Sequence, residues 1–191
     1  MKDITISRRS LLVSAGLLAL APLAGCGGNS GSGSAAAGSD YTIGVLQLTE
    51  HSALDAANNG FVKAIKKSGL KVKIEKKNAQ NDQSTCKSIA DKFVGDNVDL
   101  IYAIATPAAQ AAAGATADIP IVGCAITDYA ASGLVQDNDK PGTNVTGASD
   151  LTPVAEQLEM MQKVLPDVKK VGLLYCSAES NSDIQIKAAK D

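Results

Sequence analysis

The sequence predicts an α/β protein built on a doubly wound parallel sheet. From Asp40 onward, apolar runs of strand length alternate with longer amphipathic runs, and repeated β-α units form parallel sheets with right-handed crossovers. Residues 43–48 are nearly all apolar, as in a strand that is covered on both faces. Residues 171–183 align without gaps on residues 43–55, which indicates a second, similar lobe beginning near residue 169.

The composition is that of a soluble globular protein, because 45% of the 191 residues are hydrophobic and 20% are charged. The formal net charge is -2 without a long basic run, so nucleic-acid binding is not expected. Seven lysines nevertheless cluster between residues 63 and 77. No aromatic residues interleave with them, and we interpret them as a solvated helix face and an edge strand.

The first 25 residues have the pattern of a bacterial lipoprotein signal peptide. Arg8 and Arg9 precede an apolar run over residues 11–24, which is too short to span a bilayer comfortably. Residues 23–26, Leu-Ala-Gly-Cys, match the lipobox, in which the cysteine, here Cys26, receives a lipid. Residues 7–12 also resemble a twin-arginine motif, so Sec and twin-arginine export both stay open.

Residues 26–39 are predicted to be the lipidated cysteine and a flexible linker. Residues 27–39 are almost wholly Gly, Ser and Ala, which cannot bury enough apolar surface to fold. With a lipid at one end, this linker would hold the following domain at the extracytoplasmic face of the cell membrane.

The other cysteines do not form a recognisable framework. Cys86, Cys124 and Cys176 are odd in number and lack C-x-x-C spacing, so neither a metal site nor a disulfide scaffold is expected. We predict buried or half-buried free thiols, and a Cys124–Cys176 bridge stays open.

The first β-α unit is predicted over residues 41–67. The apolar run gives a strand over residues 41–48. A capping box, Ser52 followed by Asp55, starts a helix over residues 52–67, and Gly69 ends it.

The next elements follow the same alternation. Val72 and Ile74 alternate with lysines over residues 71–77, as on an edge strand. A helix over residues 83–94 has an apolar face, and residues 98–105 form a buried strand.

A third β-α unit starts with Thr106 as helix N-cap and Pro107 as the first helical residue. The alanine-rich run 108–113 continues this helix to Gly114. Residues 119–125 are the next strand.

The last predicted elements are a loop over residues 127–139, a short strand over 144–147, a helix over 152–165, a strand over 169–176 and a helix from residue 180. Residues 40–148 therefore make one complete lobe, whereas residues 149–191 supply a hinge and the start of a second. We interpret the sequence as a fragment whose second lobe is incomplete.

Residues 41–191 resemble the substrate-binding lipoproteins of ABC importers, which have the type I periplasmic-binding-protein fold with Rossmann-like lobes. The subgroup associated with tryptophan and tyrosine uptake is most similar. The resemblance is carried by five segments in the family's order and spacing: residues 50–57, 103–110, 125–128, 144–151 and 174–181. It implies a solute-binding protein that works with an ABC permease and its ATPase. The alternative is an extracytoplasmic sensor that presents the same ligand to a membrane receptor.

The quoted segments lie at strand carboxyl ends or helix N-termini, hence on one rim of the sheet. A zwitterionic amino acid suits such a rim, because helix N–H groups hold a carboxylate and an aspartate holds an ammonium. Glu179, Ser180 and Asn181 would contribute from the second lobe on closure. The candidate ligand-binding residues are Glu50, His51, Ser52, Thr106, Pro107, Asp128, Tyr129, Ser149, Asp150, Glu179, Ser180 and Asn181.

Most candidates also have a purely structural interpretation. Ser52 and Thr106 can be plain N-caps, Asp128 can cap a turn, and Asp150 can shape the entry to the hinge. Tyr129 can stack on a ligand ring or face solvent from a loop.

The sequence does not predict an enzyme. It has no G-x-S-x-G, H-E-x-x-H or Walker motif, and His51 is its single histidine. A loop contact suits His51 better than catalysis, and no cofactor or metal is expected.

Overall fold

The computed structural model describes residues 40–191; the predicted signal peptide, Cys26 and the linker lie outside the described residues. Five parallel strands form one sheet in the order β2-β1-β3-β4-β5. The strands are β1 (Tyr41–Gln47), β2 (Val72–Asn78), β3 (Leu100–Ile104), β4 (Ile121–Ile126) and β5 (Val145–Ser149). The helices are α1 (Ser52–Ser68), α2 (Gln83–Gly95), α3 (Thr106–Ala115), α4 (Val154–Val164) and α5 (Ser180–Lys190). The predicted parallel sheet is confirmed, with β2 at its edge.

The helix α1 covers one face of the sheet. Its apolar side chains, among them Leu54 and Phe61, pack against Val45 of β1 and against Tyr102 and Ile104 of β3. The rings of Phe61 and Tyr102 stack with their centroids 4.0 Å apart and their planes 11° apart. This face is therefore anchored by aromatic contact at its centre.

The helices α2 and α3 cover the opposite face, which makes the sheet doubly wound. Phe93 of α2 is fully buried there with Leu46 and Ile101. The ring of Phe93 lies directly over Gly44 of β1, where an added Cβ would come within 2.6 Å of the ring. A glycine in the middle of a buried strand thus makes room for the largest fully buried side chain of this core.

Two predicted helix caps are wrong by one residue. His51, not Ser52, is the N-cap of α1, because its Nδ1 accepts from the Ala53 N–H at 3.3 Å. Ala105, not Thr106, is the N-cap of α3. The predicted capping box does not form, because Asp55 accepts a hydrogen bond from a strand residue instead.

The strand predicted over residues 169–176 is absent. Residues 169–176 have no strand conformation, and the side chains of Val171, Leu173 and Tyr175 are exposed while that of Leu174 is fully exposed. A strand needs a neighbour for its backbone hydrogen bonds, and none of the five described strands pairs with this segment. The division into lobes at residue 148 stays a prediction.

No helix within residues 40–191 has both the length and the apolar character that crossing a bilayer requires.

Candidate functional site

The strand order creates a crevice between β1 and β3 at the carboxyl edge of the sheet. These strands are neighbours, but the chain leaves β1 for α1 on one face and β3 for α3 on the other. The two connections diverge, and such a switch point is where open α/β sheets place their ligands. The edge of the sheet that the sequence predicted as the ligand site is therefore centred on the crevice between β1 and β3.

A buried amide network fixes the loop on the β1 side of the crevice. Gln47, only 4% exposed, donates through Nε2 to the Thr49 carbonyl at 2.8 Å and to Asp55 Oδ1 at 2.7 Å. Its Oε1 accepts from Asn58 Nδ2 at 2.7 Å. The network ties β1, the loop and α1 together, so the loop is held by side chains rather than by strand pairing.

The predicted residues of this loop lie outside the core. Glu50, His51 and Ser52 are exposed, and the His51 imidazole is used as the α1 cap. One feature of the sequence could have indicated the amide network beneath them. Asn58 is a polar residue within the apolar stripe that runs from Leu54 to Phe61.

The β3 side of the crevice carries backbone strain. Ala105 has φ 85° and ψ 152°, a conformation that is almost confined to glycine and that persists at functional sites. The following helix α3 starts with buried Thr106 and Pro107 and has no side-chain cap. Its first N–H groups have no intrahelical acceptor, so this helix start suits the carboxylate of a ligand.

Strands β4 and β5 bring the other predicted carboxylates to the same rim. One extra residue in β4 makes a bulge, where Ala125 has φ 56°. Beyond the bulge the Asp150 N–H donates to the Ile126 carbonyl at 3.0 Å, and Ser149 Oγ donates to the Thr127 carbonyl at 2.7 Å. These bonds fix the backbone of Asp150 while leaving its side chain exposed.

Asp128 serves as a turn cap. Its Oδ1 accepts from the Ala131 N–H at 2.9 Å and from Asn138 Nδ2 at 3.1 Å. The Ala131 bond first, and the Asn138 bond second, hold the pKa of Asp128 below its ordinary value. The structural interpretation is confirmed, and a contact with a ligand ammonium stays a prediction.

Tyr129 is a core residue and not a solvent-facing loop residue. It is 7% exposed, and its hydroxyl donates to the Ala148 carbonyl at 3.2 Å. Burial raises its pKa to about 12. Its ring fits against Gly123 and Gly147, where an added Cβ would meet the hydroxyl at 2.6 and 2.3 Å. The Tyr129 side chain therefore joins the loop after β4 to β5. Stacking of its ring on a ligand stays a prediction.

The segment before α5 lies beside the starts of α2 and α3. Gln110 Nε2 donates to Ser180 Oγ at 3.2 Å, and Gln83 Nε2 donates to the Ala178 carbonyl at 3.0 Å. Glu179 is the N-cap residue of α5, and Asn181 follows in its first turn. Of the predicted second-lobe residues, Ser180 thus contacts α3 directly.

A pocket of about 440 Å³ opens where this segment meets the rim, which is within the size range of small-molecule sites. It is lined by Leu48, Asn81, Asp82, Gln83, Pro107, Cys176, Ala178 and Glu179. The pocket brings together Pro107 and Glu179, which the sequence predicted, but none of the other predicted residues. The sequence missed the residues that follow β2, although they follow a strand just as the predicted residues do.

Asp82 places a firm negative charge in that pocket. Its Oδ1 accepts from Ser84 Oγ and from the Thr85 N–H, both at 2.6 Å. The bond from Ser84 contributes most, and together they lower the pKa of Asp82 to about 2. The carboxylate caps α2 and stays ionised at neutral pH.

The three cysteines of the described region are free thiols. Cys86 is fully buried, and burial raises its pKa to about 11. Cys124 is half-buried, as predicted, but Cys176 is exposed rather than buried.

Residues 42–191 match the family described as ABC transporter substrate binding protein. The chain is similar to a tyrosine-binding protein of Clostridioides difficile strain R20291, with 45% identity over 190 residues that cover 94% of this chain and 55% of the relative.

Two solved structures are also similar. One is an ABC domain from Streptococcus pneumonia in complex with L-Trp, with 41% identity, a TM-score of 0.76, and coverage of 80% of this chain and 52% of the other. The second is a ligand-free, open substrate binding protein with adhesive properties from Clostridium difficile, with 49% identity, a TM-score of 0.65, and coverage of 78% and 52%. The chain spans about half the length of these relatives.

Proposed function

Since the chain belongs to the family of ABC transporter substrate-binding proteins, we propose that it is the extracytoplasmic solute-binding component of an importer. The proposed solute is a small zwitterion, namely an aromatic amino acid. The predicted type I periplasmic-binding-protein fold is confirmed for one lobe. The family is one of solute-binding proteins, in line with the expectation that the chain is not an enzyme. Membership also favours import over the sensor alternative.

The crevice between β1 and β3 is the observation that carries the proposal. On its β3 side, α3 begins without a side-chain cap, so its N–H groups are available to the ligand carboxylate. Thr106 is the first residue of that helix and is 2% exposed. Its hydroxyl is the proposed additional donor, with Ser52 on the β1 side.

We assign the ligand ammonium to Asp150 rather than to Asp128. Within residues 40–191, the Asp150 carboxylate makes no hydrogen bond or ion pair. Asp128 already uses Oδ1 for two bonds that cap its turn. Asp150 is the better partner for a charged amine, because its carboxylate can accept the new bond without breaking another. Its backbone is also fixed by the bond to β4.

Two names support an aromatic side chain on the ligand. A relative at 45% identity is called a tyrosine-binding protein, and a structure at 41% identity contains L-Trp. Closure of a second lobe would bring Glu179, Ser180 and Asn181 onto the ligand. The permease and the ATPase of the importer are the proposed partners.

Calorimetry with the full-length protein tests the ligand. Tyrosine and tryptophan should release heat, whereas glucose should not. Tyramine lacks the carboxylate and 3-(4-hydroxyphenyl)propionate lacks the ammonium, so each should bind at least about tenfold more weakly than tyrosine. Absence of heat with every aromatic amino acid would exclude the proposed ligand class.

Membrane anchoring through Cys26 is a second part of the proposal. The lipobox over residues 23–26 supports it. Cys26→Ala should move the protein from the membrane fraction to the soluble fraction, while Cys124→Ala should leave it in the membrane fraction. Retention of the Cys26→Ala protein would mean that another segment anchors it.

A further inference from the structure

The positive charge of the described region is concentrated in one segment. Residues 63–77 contain seven lysines and one acidic residue, whereas the rest of residues 40–191 contains eight lysines and eighteen acidic residues. The segment therefore carries a formal charge of +6 in a domain whose remainder carries -10. We call the seven residues the basic surface: Lys63, Lys66, Lys67, Lys71, Lys73, Lys76 and Lys77.

All seven lysines are exposed, and they lie along the lateral edge of the sheet that β2 forms. Three belong to the second half of α1, and the others flank or belong to the edge strand β2. Val72 and Ile74 point towards α1, so the alternation of a strand directs Lys73 and Lys77 to the opposite face. The charges thus surround the edge of the sheet.

Little of this charge is neutralised within residues 40–191. Glu75 is the one acidic residue of the segment, and it pairs with Lys77 at 3.7 Å and with Lys92 of α2 at 3.4 Å. The other six lysines of the basic surface form no ion pair with residues 40–191. Edge-strand lysines discourage aggregation and lysines favour helix C-termini, but neither role accounts for Lys63, which lies in α1 before its last turn.

The basic surface has an apolar groove at its centre. The groove has a volume of about 450 Å³ between α1 and β2, and Leu70 beside it is 57% exposed. Its walls combine aliphatic side chains with the Lys66 and Lys76 ammonium groups: Val62, Ile65, Lys66, Leu70, Val72, Ile74 and Lys76. Apolar surface flanked by cations matches the interface of an anionic bilayer, where acyl chains lie beneath phosphate groups.

The proposed lipid anchor joins the fold beside this surface. The N–H groups of Asp40 and Tyr41 donate to the Lys71 carbonyl at 2.8 and 3.3 Å, so the chain enters the sheet next to β2. A flexible coil with the composition of residues 27–39 has a root-mean-square span of about 20 Å. A lipid on Cys26 would therefore keep the basic surface within reach of the bilayer.

We propose that the basic surface is a docking site for anionic phospholipid headgroups. Lys66, Lys67 and Lys71 lie at the amino edge of the sheet, opposite the crevice between β1 and β3. Docking through them orients the domain with the crevice away from the lipid, where it stays open to solute. The argument from the linker rests on lipidation at Cys26, whereas the experiment below does not.

Vesicle flotation tests the proposal with the chain that starts at residue 26 and carries Cys26→Ser, which has no lipid. The protein should float with vesicles of phosphatidylcholine and phosphatidylglycerol and not with phosphatidylcholine alone. Raising NaCl from about 0.1 M to about 1 M shortens the Debye length from about 10 Å to about 3 Å and should abolish flotation.

Two quadruple variants of equal charge separate the site from the net charge. The first is Lys66→Gln, Lys71→Gln, Lys73→Gln and Lys76→Gln. The matched control is Lys163→Gln, Lys169→Gln, Lys170→Gln and Lys187→Gln. The first should lower partitioning into anionic vesicles at least about tenfold, and the control should leave it within about twofold of the parent. Circular dichroism should show the parent's helix and strand content in both variants.

Three results would overturn the proposal. Failure of the parent chain to float with anionic vesicles excludes lipid docking. An equal loss in both quadruple variants would mean that net charge alone governs the interaction. Capture of the chain by immobilised poly-glutamate without flotation would assign the basic surface to an acidic protein partner. Calorimetry with tyrosine is independent of all three.

Discussion

Gly44→Ala should test how tightly the core beneath the crevice is packed. The new Cβ would lie 2.6, 2.7 and 2.9 Å from three carbons of the Phe93 ring, whereas ordinary carbon contacts are about 3.4 to 4 Å. The ring would have to move by about 1 Å, and it is fully buried. Overpacking of a core costs about 1–3 kcal/mol, and three simultaneous clashes place this change at the upper end, about 3 kcal/mol.

Urea and thermal denaturation measure the effect. For a domain of this size about 3 kcal/mol corresponds to a melting temperature lower by about 6–12 °C. Phe93→Leu removes the ring, so Gly44→Ala should cost less in that background, with a coupling energy of about 1–3 kcal/mol. Gly60→Ala is the control: no atom lies within 4 Å of its added Cβ, and in α1 it should stabilise by about 0.5–1 kcal/mol. A neutral Gly44→Ala, or costs that simply add, would refute the packing argument.

Three further predictions concern the rim. The pKa of Asp82 is lowered from 3.8 to about 2. Its ionised form therefore stabilises the fold fully above pH 3.8, and this contribution is lost as the pH falls to about 2. Asp82→Asn should remove that part of the pH dependence, which urea denaturation midpoints measured across this pH range would show. Gln47→Leu leaves the buried amide of Asn58 and the Asp55 carboxylate without their partner, and should lower the free energy of unfolding by about 1–3 kcal/mol in urea titrations. Asp150→Ala should weaken calorimetric binding of tyrosine by about 2–5 kcal/mol by loss of the ammonium partner, without changing stability.

Each of these variants has a matched control. Asp118→Asn should retain the pH dependence that Asp82→Asn loses, and an unchanged acid slope in Asp82→Asn would contradict the capping argument. Asn59→Leu changes an exposed neighbour on α1, and equal destabilisation by both leucines would disprove the network. Asp167→Ala should bind like the parent. Unchanged affinity with intact folding would remove Asp150 from the site.

The elements that hydrophobic periodicity determines were predictable. The bounds of β1, β2 and α1 were predicted within about two residues, from an apolar run, an alternation with lysines and an apolar stripe. These patterns differ because burial on two faces of a strand, on one face of a strand or on one stripe of a helix gives apolar residues a different spacing in the sequence. The parallel sheet, and a rim of candidate residues at the carboxyl ends of its strands, followed from the alternation itself. The strand order, which places the switch point between β1 and β3, was not predicted.

Features that depend on three-dimensional neighbours were not predictable. His51 and not Ser52 caps α1, and Asp55 of the predicted capping box accepts a hydrogen bond from Gln47 instead. The bond between Gln47 and Asp55 joins a strand to a helix, so the local sequence pattern does not reveal it. Tyr129 is buried because Gly123 and Gly147, on adjacent strands, leave space for its ring. The segment over 169–176 has the apolar content of a strand but no described strand to pair with.

The separation of rim from core has a consequence for how ligand preference can change. Glu50, His51 and Asp150 are exposed and contribute no buried apolar surface, while the network beneath them and the bulge in β4 hold their backbone. In the proposed site, substitution of Glu50 or Asp150 would alter the chemistry offered to a solute without changing the buried core, whereas substitution of His51 would also remove the N-cap of α1. If the proposed site holds the ligand, changes at Glu50 and Asp150 would therefore alter ligand preference with little loss of stability, and proteins that share this core would be free to differ in the solute that they bind.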